Sequence, residues 1–124
     1  MQIFRGTCRL SDRLSEGGNV ISEIDIETYA RERASGATTI DVRVVHEYDE
    51  AHVPGAILVP LGEFADGVAD LPGDPLLIIC RSGARSLRAC EMAAAAGREA
   101  INVGGGTLAW IASGRETVSG PERG

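Results

Sequence analysis

The order of apolar runs along the chain predicts an α/β domain with a mostly parallel central sheet of about five strands flanked by helices. Short strand-like runs alternate with helix-like segments some five times between residues 20 and 115, and such alternation builds crossover units on a parallel sheet. The run Leu76–Ile79 is uninterrupted apolar sequence, with Pro72-Gly73-Asp74-Pro75 before it and Arg81-Ser82-Gly83 after it. A short apolar run between turn signals is the pattern of a strand buried on both faces. At 124 residues, the chain has the size of one domain and can bury a real core without staples.

The elements follow in order. Residues 21–24 read as a weak first strand. Asp25 is placed to cap a helix over Ile26–Ala34, which Gly36 stops. Residues 38–42 form a β-branched strand, and 45–51 a short helix broken by His52-Val53-Pro54-Gly55. Residues 57–59 make another strand, ended by Pro60, and 62–69 a helix. After Leu76–Ile79, a helix spans 85–96 and ends at Gly97. Its wheel puts Arg85, Arg88 and Glu91 on one side and Ser86, Leu87, Cys90, Ala93 and Ala94 on the packed side. Ala100–Val103 is the last strand, and Gly104-Gly105-Gly106 turns the chain into a final helix over 107–112. This divides the chain into an N-terminal extension at 1–19, a domain at 20–115 and a flexible tail at 116–124 rich in Gly, Ser and charge.

Composition narrows the function. The net charge is −6, which argues against nucleic acid as a partner. All twelve basic residues are arginine. No apolar run approaches the ~18 residues of a membrane span. Residues 1–10 lack the apolar core of a signal peptide, so the chain reads as soluble and cytoplasmic, without a membrane partner. The three cysteines, Cys8, Cys80 and Cys90, are too few and scattered for a disulfide framework.

In open α/β sheets, ligands bind beyond the carboxyl ends of strands, and the Leu76–Ile79 strand ends at Cys80. The loop Cys80-Arg81-Ser82-Gly83-Ala84-Arg85-Ser86 then enters a helix. A free thiol has a pKa of ~8.5, and nearby arginines and a helix N-terminus lower it. Gly83 lets the backbone curl so that N–H groups point inward around an anion. Helix N-termini ordinarily carry acidic residues, yet here Arg81 and Arg85 stand there, as if an anion from outside completed the charge. Cys80 and Arg85 enclose four residues, whereas cysteine phosphatases need five, which disfavours phosphate or arsenate chemistry. The plain alternative is a buried strand-end cysteine with solvated arginines.

Cys80-Arg81-Ser82-Gly83-Ala84-Arg85-Ser86 resembles the active-site loop of rhodaneses. Asp41-Val42-Arg43, Glu47-Tyr48 and His52-Val53-Pro54-Gly55-Ala56 resemble that family's first signature. Asn102-Val103-Gly104-Gly105-Gly106-Thr107-Leu108-Ala109-Trp110, with Ser113-Gly114, resembles its C-terminal signature. Together these span residues 20–115 in the family's order. The resemblance implies a single rhodanese-like domain and a sulfurtransferase: Cys80 takes the outer sulfur of thiosulfate or a similar anionic donor, becomes a persulfide, and passes the sulfur to cyanide, a thiol or an acceptor protein. Arg81, Ser82, Gly83, Ala84, Arg85 and Ser86 would bind the donor and the persulfide. No metal or organic cofactor is implied. A cationic loop resembles the thiosulfate users of the family. Two rival readings share the loop: a relay module whose donor and acceptor are both proteins, and a binding domain without catalysis. Intact Cys80, Gly83 and Arg85 argue against the latter.

Asp41 and Arg43 stand on the same side of the sheet as Cys80. They either support the loop or form a structural ion pair, with Arg43 meeting Glu47 or Glu50. His52 sits where a turn-stabilising hydrogen bond is expected. Leu108 and Trp110 are expected to cover the core, Cys90 to be an inert buried thiol, and Cys8 to be an unremarkable surface or packed thiol.

Overall fold

The structure, a computed structural model, describes residues 11–14 and 20–124. Its sheet contains β1 (Ser11–Leu14), β2 (Val20–Ile24), β3 (Thr38–Asp41), β4 (Ile57–Leu58), β5 (Leu76–Ile79) and β6 (Ala100–Val103), in the order β1-β2-β6-β5-β3-β4. Five of these strands, β2 to β6, run parallel, as the alternation requires. The sixth, β1, adds to the edge antiparallel to β2 and falls within the segment expected only as an extension. Ser15–Asn19 and Cys8 lie outside the described residues.

Helices α1 (Ile26–Ala34), α2 (Val45–Glu50), α3 (Leu61–Gly67), α4 (Ala84–Ala95) and α5 (Gly106–Ala112) connect the strands. Asp25 caps α1, its carboxylate accepting from the Thr28 N–H at 2.9 Å. The pleat of β5 divides the core into two layers. Leu77 and Ile79 face Tyr29, Tyr48, Val53 and Trp110, whereas Leu76, Ile78 and Cys80 face Phe64, Ala89, Cys90 and Ala93. Both faces are covered, so every residue of β5 is apolar. On α4 the packed stripe is Ser86, Ala89, Cys90 and Ala93. Ala94, expected on that stripe, is exposed instead.

The C-terminal segment departs from the expected loose tail. The backbones of Val118 and His52 exchange two hydrogen bonds of 2.9 Å, and the Gly55 N–H donates to the Arg123 carbonyl. The His52 ring, fully buried and stacked 3.6 Å from Tyr48, has its nitrogens 2.8 Å from the carbonyl oxygens of Tyr48 and Glu122. Trp110 Nε1 donates to the Glu116 carbonyl at 2.7 Å. Glycine and serine gave 116–124 the composition of a tail, but backbone pairing and two buried rings hold it down.

Arg43 does not meet Glu47 or Glu50. Its guanidinium forms a two-pronged pair with Asp41, Nε to Oδ1 at 3.0 Å and Nη2 to Oδ2 at 2.9 Å, and also donates to the Ala51 carbonyl at 2.8 Å. The Asp41 Oδ1 further accepts from the Arg43 N–H at 3.1 Å. Both side chains are buried, and an Arg fork saturates a carboxylate well. Removing one buried partner leaves the other charge uncompensated, at a cost of about 3–5 kcal/mol. Arg43→Met is therefore expected to lower the thermal unfolding midpoint by roughly 10–20 °C; a midpoint within a few degrees of wild type would refute a structural role for the pair.

Candidate functional site

Cys80 stands where the central strand β5 runs out, and its sulfur occupies the floor of the loop that leads into α4. The residue is buried, whereas Arg81, Ser82 and Ala84 around it are exposed. Gly83 takes a left-handed conformation, φ +115°, as the residue preceding α4. That turn aims its N–H at the Cys80 Sγ, 3.0 Å away. One helical turn on, the buried Ser86 hydroxyl lies 3.3 Å from the same sulfur. Burial raises the Cys80 pKa, but the Ser86 hydroxyl and the backbone N–H groups of Ser86, Gly83 and Ser82 outweigh it, so the thiol lies below its ordinary value. A sulfur circled by donors is stabilised as an anion.

The other wall of the loop is the start of α5. The N–H groups of Thr107 and Leu108 donate to the carbonyls of Cys80 and Arg81 at 2.8 and 3.1 Å. At Gly106, with φ +60°, a Cβ would lie 2.6 Å from both of those carbonyl oxygens. Only glycine permits this approach, which gives the Gly104-Gly105-Gly106 run a physical reason.

Arg85 is not a free cation. Its guanidinium forms a two-pronged ion pair with Glu47 of α2, both contacts 2.8 Å. The Arg85 hydrogen bonds hold the Glu47 carboxyl down at about 2. The pair is therefore present at and above the ordinary carboxylate range and is lost only as pH falls towards that value. Glu47 also accepts from the Val44 N–H at 3.2 Å, tying it to the start of α2. Arg81 has no side-chain partner among the described residues. The sequence offered no local signal for the Arg85–Glu47 pair, because the two residues are 38 positions apart.

Asp41 and Arg43 lie below the loop and make no hydrogen bond to it among the described residues. They reach it indirectly: Arg43 holds the carbonyl of Ala51 at the end of α2, and α2 presents Glu47 to Arg85. Cys90 is buried on the packed face of α4, and desolvation pushes its pKa up. Two residues with polar roles here escaped the sequence reading. Asn102 Oδ1 accepts from the Ser86 hydroxyl at 2.5 Å, and its Nδ2 donates to Glu23 Oε1 at 2.7 Å and to the Gly83 carbonyl at 3.3 Å. The Asn at the head of the C-terminal signature was the available sign.

Two hollows of the described chain lie at the opposite end of the sheet, one bordered by Arg33, Thr38, Pro54, Gly55 and Arg123. There Arg33 and Arg123 are bound to the carbonyls of Pro54 and Gly55, and the lining holds no cysteine, histidine or carboxylate. Chemistry points to the loop rather than to that hollow. Among the described residues no group of three or more His, Cys, Asp or Glu is gathered as for a metal, and no helix is long and apolar enough to cross a membrane.

A largely parallel sheet with a donor-ringed cysteine at the head of its central strand defines a class of α/β domains that hold a thiol at the carboxyl end of the sheet. The Rhodanese-like domain family model matches residues 25–113, and the chain belongs to that family. It is 36% identical over 100 residues to YrkF of Bacillus subtilis, covering 77% of this chain and 54% of YrkF. It is 36% identical over 107 residues to thiosulfate sulfurtransferase 18 of Arabidopsis thaliana, covering 73% and 79% of the two chains. A rhodanese-related protein of Thermoplasma volcanium superposes with a TM-score of 0.70 at 28% identity, covering 77% of this chain and 96% of that one. The chain thus spans about half the length of YrkF.

The ring of donors predicts an acidic, individually titrating thiol. In the ultraviolet absorbance of the thiolate, the difference between wild type and Cys80→Ser should titrate below the ordinary thiol value. Ser86→Ala should move that midpoint upward, since a donor to the anion is lost. A midpoint at the ordinary value, or no response to Ser86→Ala, would show that the ring does not act on the sulfur.

Proposed function

We propose that this domain is a sulfurtransferase that carries sulfur as a persulfide on Cys80. The observation that supports it best is the convergence of the Gly83 N–H and the Ser86 hydroxyl on a buried Cys80 sulfur at the head of β5. The name of the Arabidopsis relative agrees with it.

With thiosulfate as donor, the Cys80 thiolate attacks the outer, sulfane sulfur. A bond forms between Sγ and that sulfur, the sulfur–sulfur bond of the donor breaks, and its electron pair leaves with sulfite. The thiolate's negative charge passes to the outer sulfur of the new persulfide. An acceptor nucleophile, cyanide or a thiol, then attacks this outer sulfur and returns the electron pair to Sγ. No oxidant is consumed, and the covalent intermediate divides the transfer into two displacements. The backbone N–H groups of Ser82, Gly83 and Ser86, with Ala84 and Arg85 in the first turn of α4, are the donors available to the anionic sulfur. Arg81, exposed and without a described partner, meets the incoming donor. Asp41 and Arg43 support the loop by steadying α2. A reducing compartment keeps Cys80 a thiol, and the cytoplasm fits this.

Intact-mass measurement after incubation with thiosulfate tests the reading directly. Wild type is expected to gain one sulfur atom, Cys80→Ser none, and cyanide to remove the gain. A folded wild type that gains nothing from thiosulfate or from a persulfide-bearing protein would sink the proposal.

One observation favours donors other than small dianions. Glu47 neutralises Arg85, and the exposed apolar residues Val44, just before α2, Val45, within it, and Leu108 of α5 stand on the two helices that also contact the loop. A relay between proteins suits such a rim. On this reading Glu47→Gln, which keeps an acceptor for the Val44 N–H but releases Arg85, should lower the KM for thiosulfate several-fold with kcat little changed. An unchanged or higher KM would show that the ion pair does not set donor preference.

A further inference from the structure

We propose that Asn102 is a positioning residue: held in one orientation by the Glu23 carboxylate, its amide oxygen competes with the Cys80 sulfur for the single proton of the Ser86 hydroxyl. The inference rests on Cys80 being the residue that carries sulfur.

The geometry leaves the Asn102 amide one orientation. Its Nδ2 faces two acceptors, Glu23 Oε1 at 2.7 Å and the Gly83 carbonyl at 3.3 Å. Turning the amide over would set its oxygen against both, an oxygen-to-oxygen repulsion at a half-buried carboxylate. Oδ1 therefore faces the Ser86 hydroxyl, 2.5 Å away. Oδ1 only accepts, so the hydroxyl must donate to it. A hydroxyl has one proton, and the Cys80 sulfur lies 3.3 Å from the same oxygen. Ser86 and Asn102 are both fully buried, so no solvent relieves the competition. The backbone makes room for the arrangement: a Cβ at Gly104 would lie 2.9 Å from Glu23 Oε2.

The competition has a direction. When Cys80 is a thiolate, the hydroxyl either turns to the sulfur and leaves the Asn102 oxygen unpaired, or stays and leaves the sulfur to the backbone donors. Either choice penalises the empty thiolate. In the persulfide the charge has moved to the outer sulfur, and the hydroxyl rests on Asn102 without loss. The amide thus favours the loaded protein over the empty one and holds sulfur on Cys80 until an acceptor takes it. The charged or titratable groups around the site are Arg81 in the loop, Arg85 and Cys90 on α4, Glu23 at the end of β2, Asp41 and Arg43 at β3, and Glu47 on α2; of these, Arg85 and Cys90 interact electrostatically with the sulfur. Among the described residues, the Glu23–Asn102–Ser86 chain reaches it through hydrogen bonds that end on the Ser86 proton.

The test is the thiolate titration of Cys80 in the whole chain, with Cys80→Ser as baseline, for Asn102→Ala in the wild-type and Ser86→Ala backgrounds. With Ser86 present, the midpoint is expected to fall by about half to one pH unit, the worth of one hydrogen bond. With Ser86→Ala it is expected not to move. A midpoint that stays or rises with Ser86 present, or the same fall in both backgrounds, overturns the proposal. Glu23→Ala, at a half-buried position, serves if Asn102→Ala does not fold. It removes a negative charge as well as the acceptor that orients the amide, so its fall must be larger with Ser86 than without, and equal falls overturn the proposal. Titration needs no sulfur donor. A protein that shows the shift but never accepts sulfur would retire the sulfurtransferase reading and leave the proton competition standing.

Discussion

The head of the sheet is organised by one constraint: a buried sulfur that becomes an anion must be surrounded by donors that do not have to be recruited. Burial by itself would keep Cys80 a thiol. What reverses this is the Ser86 hydroxyl on the packed face of α4, together with the backbone N–H groups of Ser86, Gly83 and Ser82 that the left-handed turn and the start of that helix bring to the sulfur. Backbone donors are held by the fold and need no reorganisation when charge appears. The same logic explains why the loop has two walls. The start of α5 satisfies the loop's carbonyls, so its N–H groups remain turned towards the sulfur.

That constraint propagates outward through polar side chains. Ser86 cannot be considered apart from Asn102, nor Asn102 apart from Glu23. On the opposite side, Arg85 is tied to Glu47, and Glu47 to the α2 backbone that Arg43 and Asp41 support. Two polar chains thus bracket one apolar strand end. Each is nearly saturated internally, as buried polar groups in a low-dielectric interior must be. The loop therefore presents less free positive charge than its two arginines suggest, and what remains is mainly that of Arg81.

The relation between helix α2, the His52 region and the C-terminal segment follows a structural logic rather than a chemical one. The His52 ring stacks on Tyr48 of α2 and lies 2.8 Å from the Glu122 carbonyl, so in this chain the segment from Tyr48 to His52 acts largely as a clasp. It fixes α2, and α2 carries Glu47 to the loop. Residues that look like candidates for proton transfer when read in line, His52 above all, are occupied in holding backbone.

Much of this was legible in the sequence. Period and punctuation marked the parallel strands and the helices, because buried parallel strands need unbroken apolar runs and helices need caps and glycine stops. The Cys80 loop was legible because its cysteine, glycine and helix start are adjacent in the chain, and local backbone geometry follows from adjacent residues. The edge strand β1 was missed, because a short polar segment gains strand structure only from the partner it pairs with. The tail was misread for the same reason: its composition is loose, and its order comes from His52, more than 60 residues away. The partners of Arg85, Arg43 and Ser86 were decided by tertiary structure. Several residues could have met each of them, and an ion pair or a buried hydrogen bond is selected by which side chains the folded sheet brings within 3 Å or so, a distance no spacing along the chain encodes.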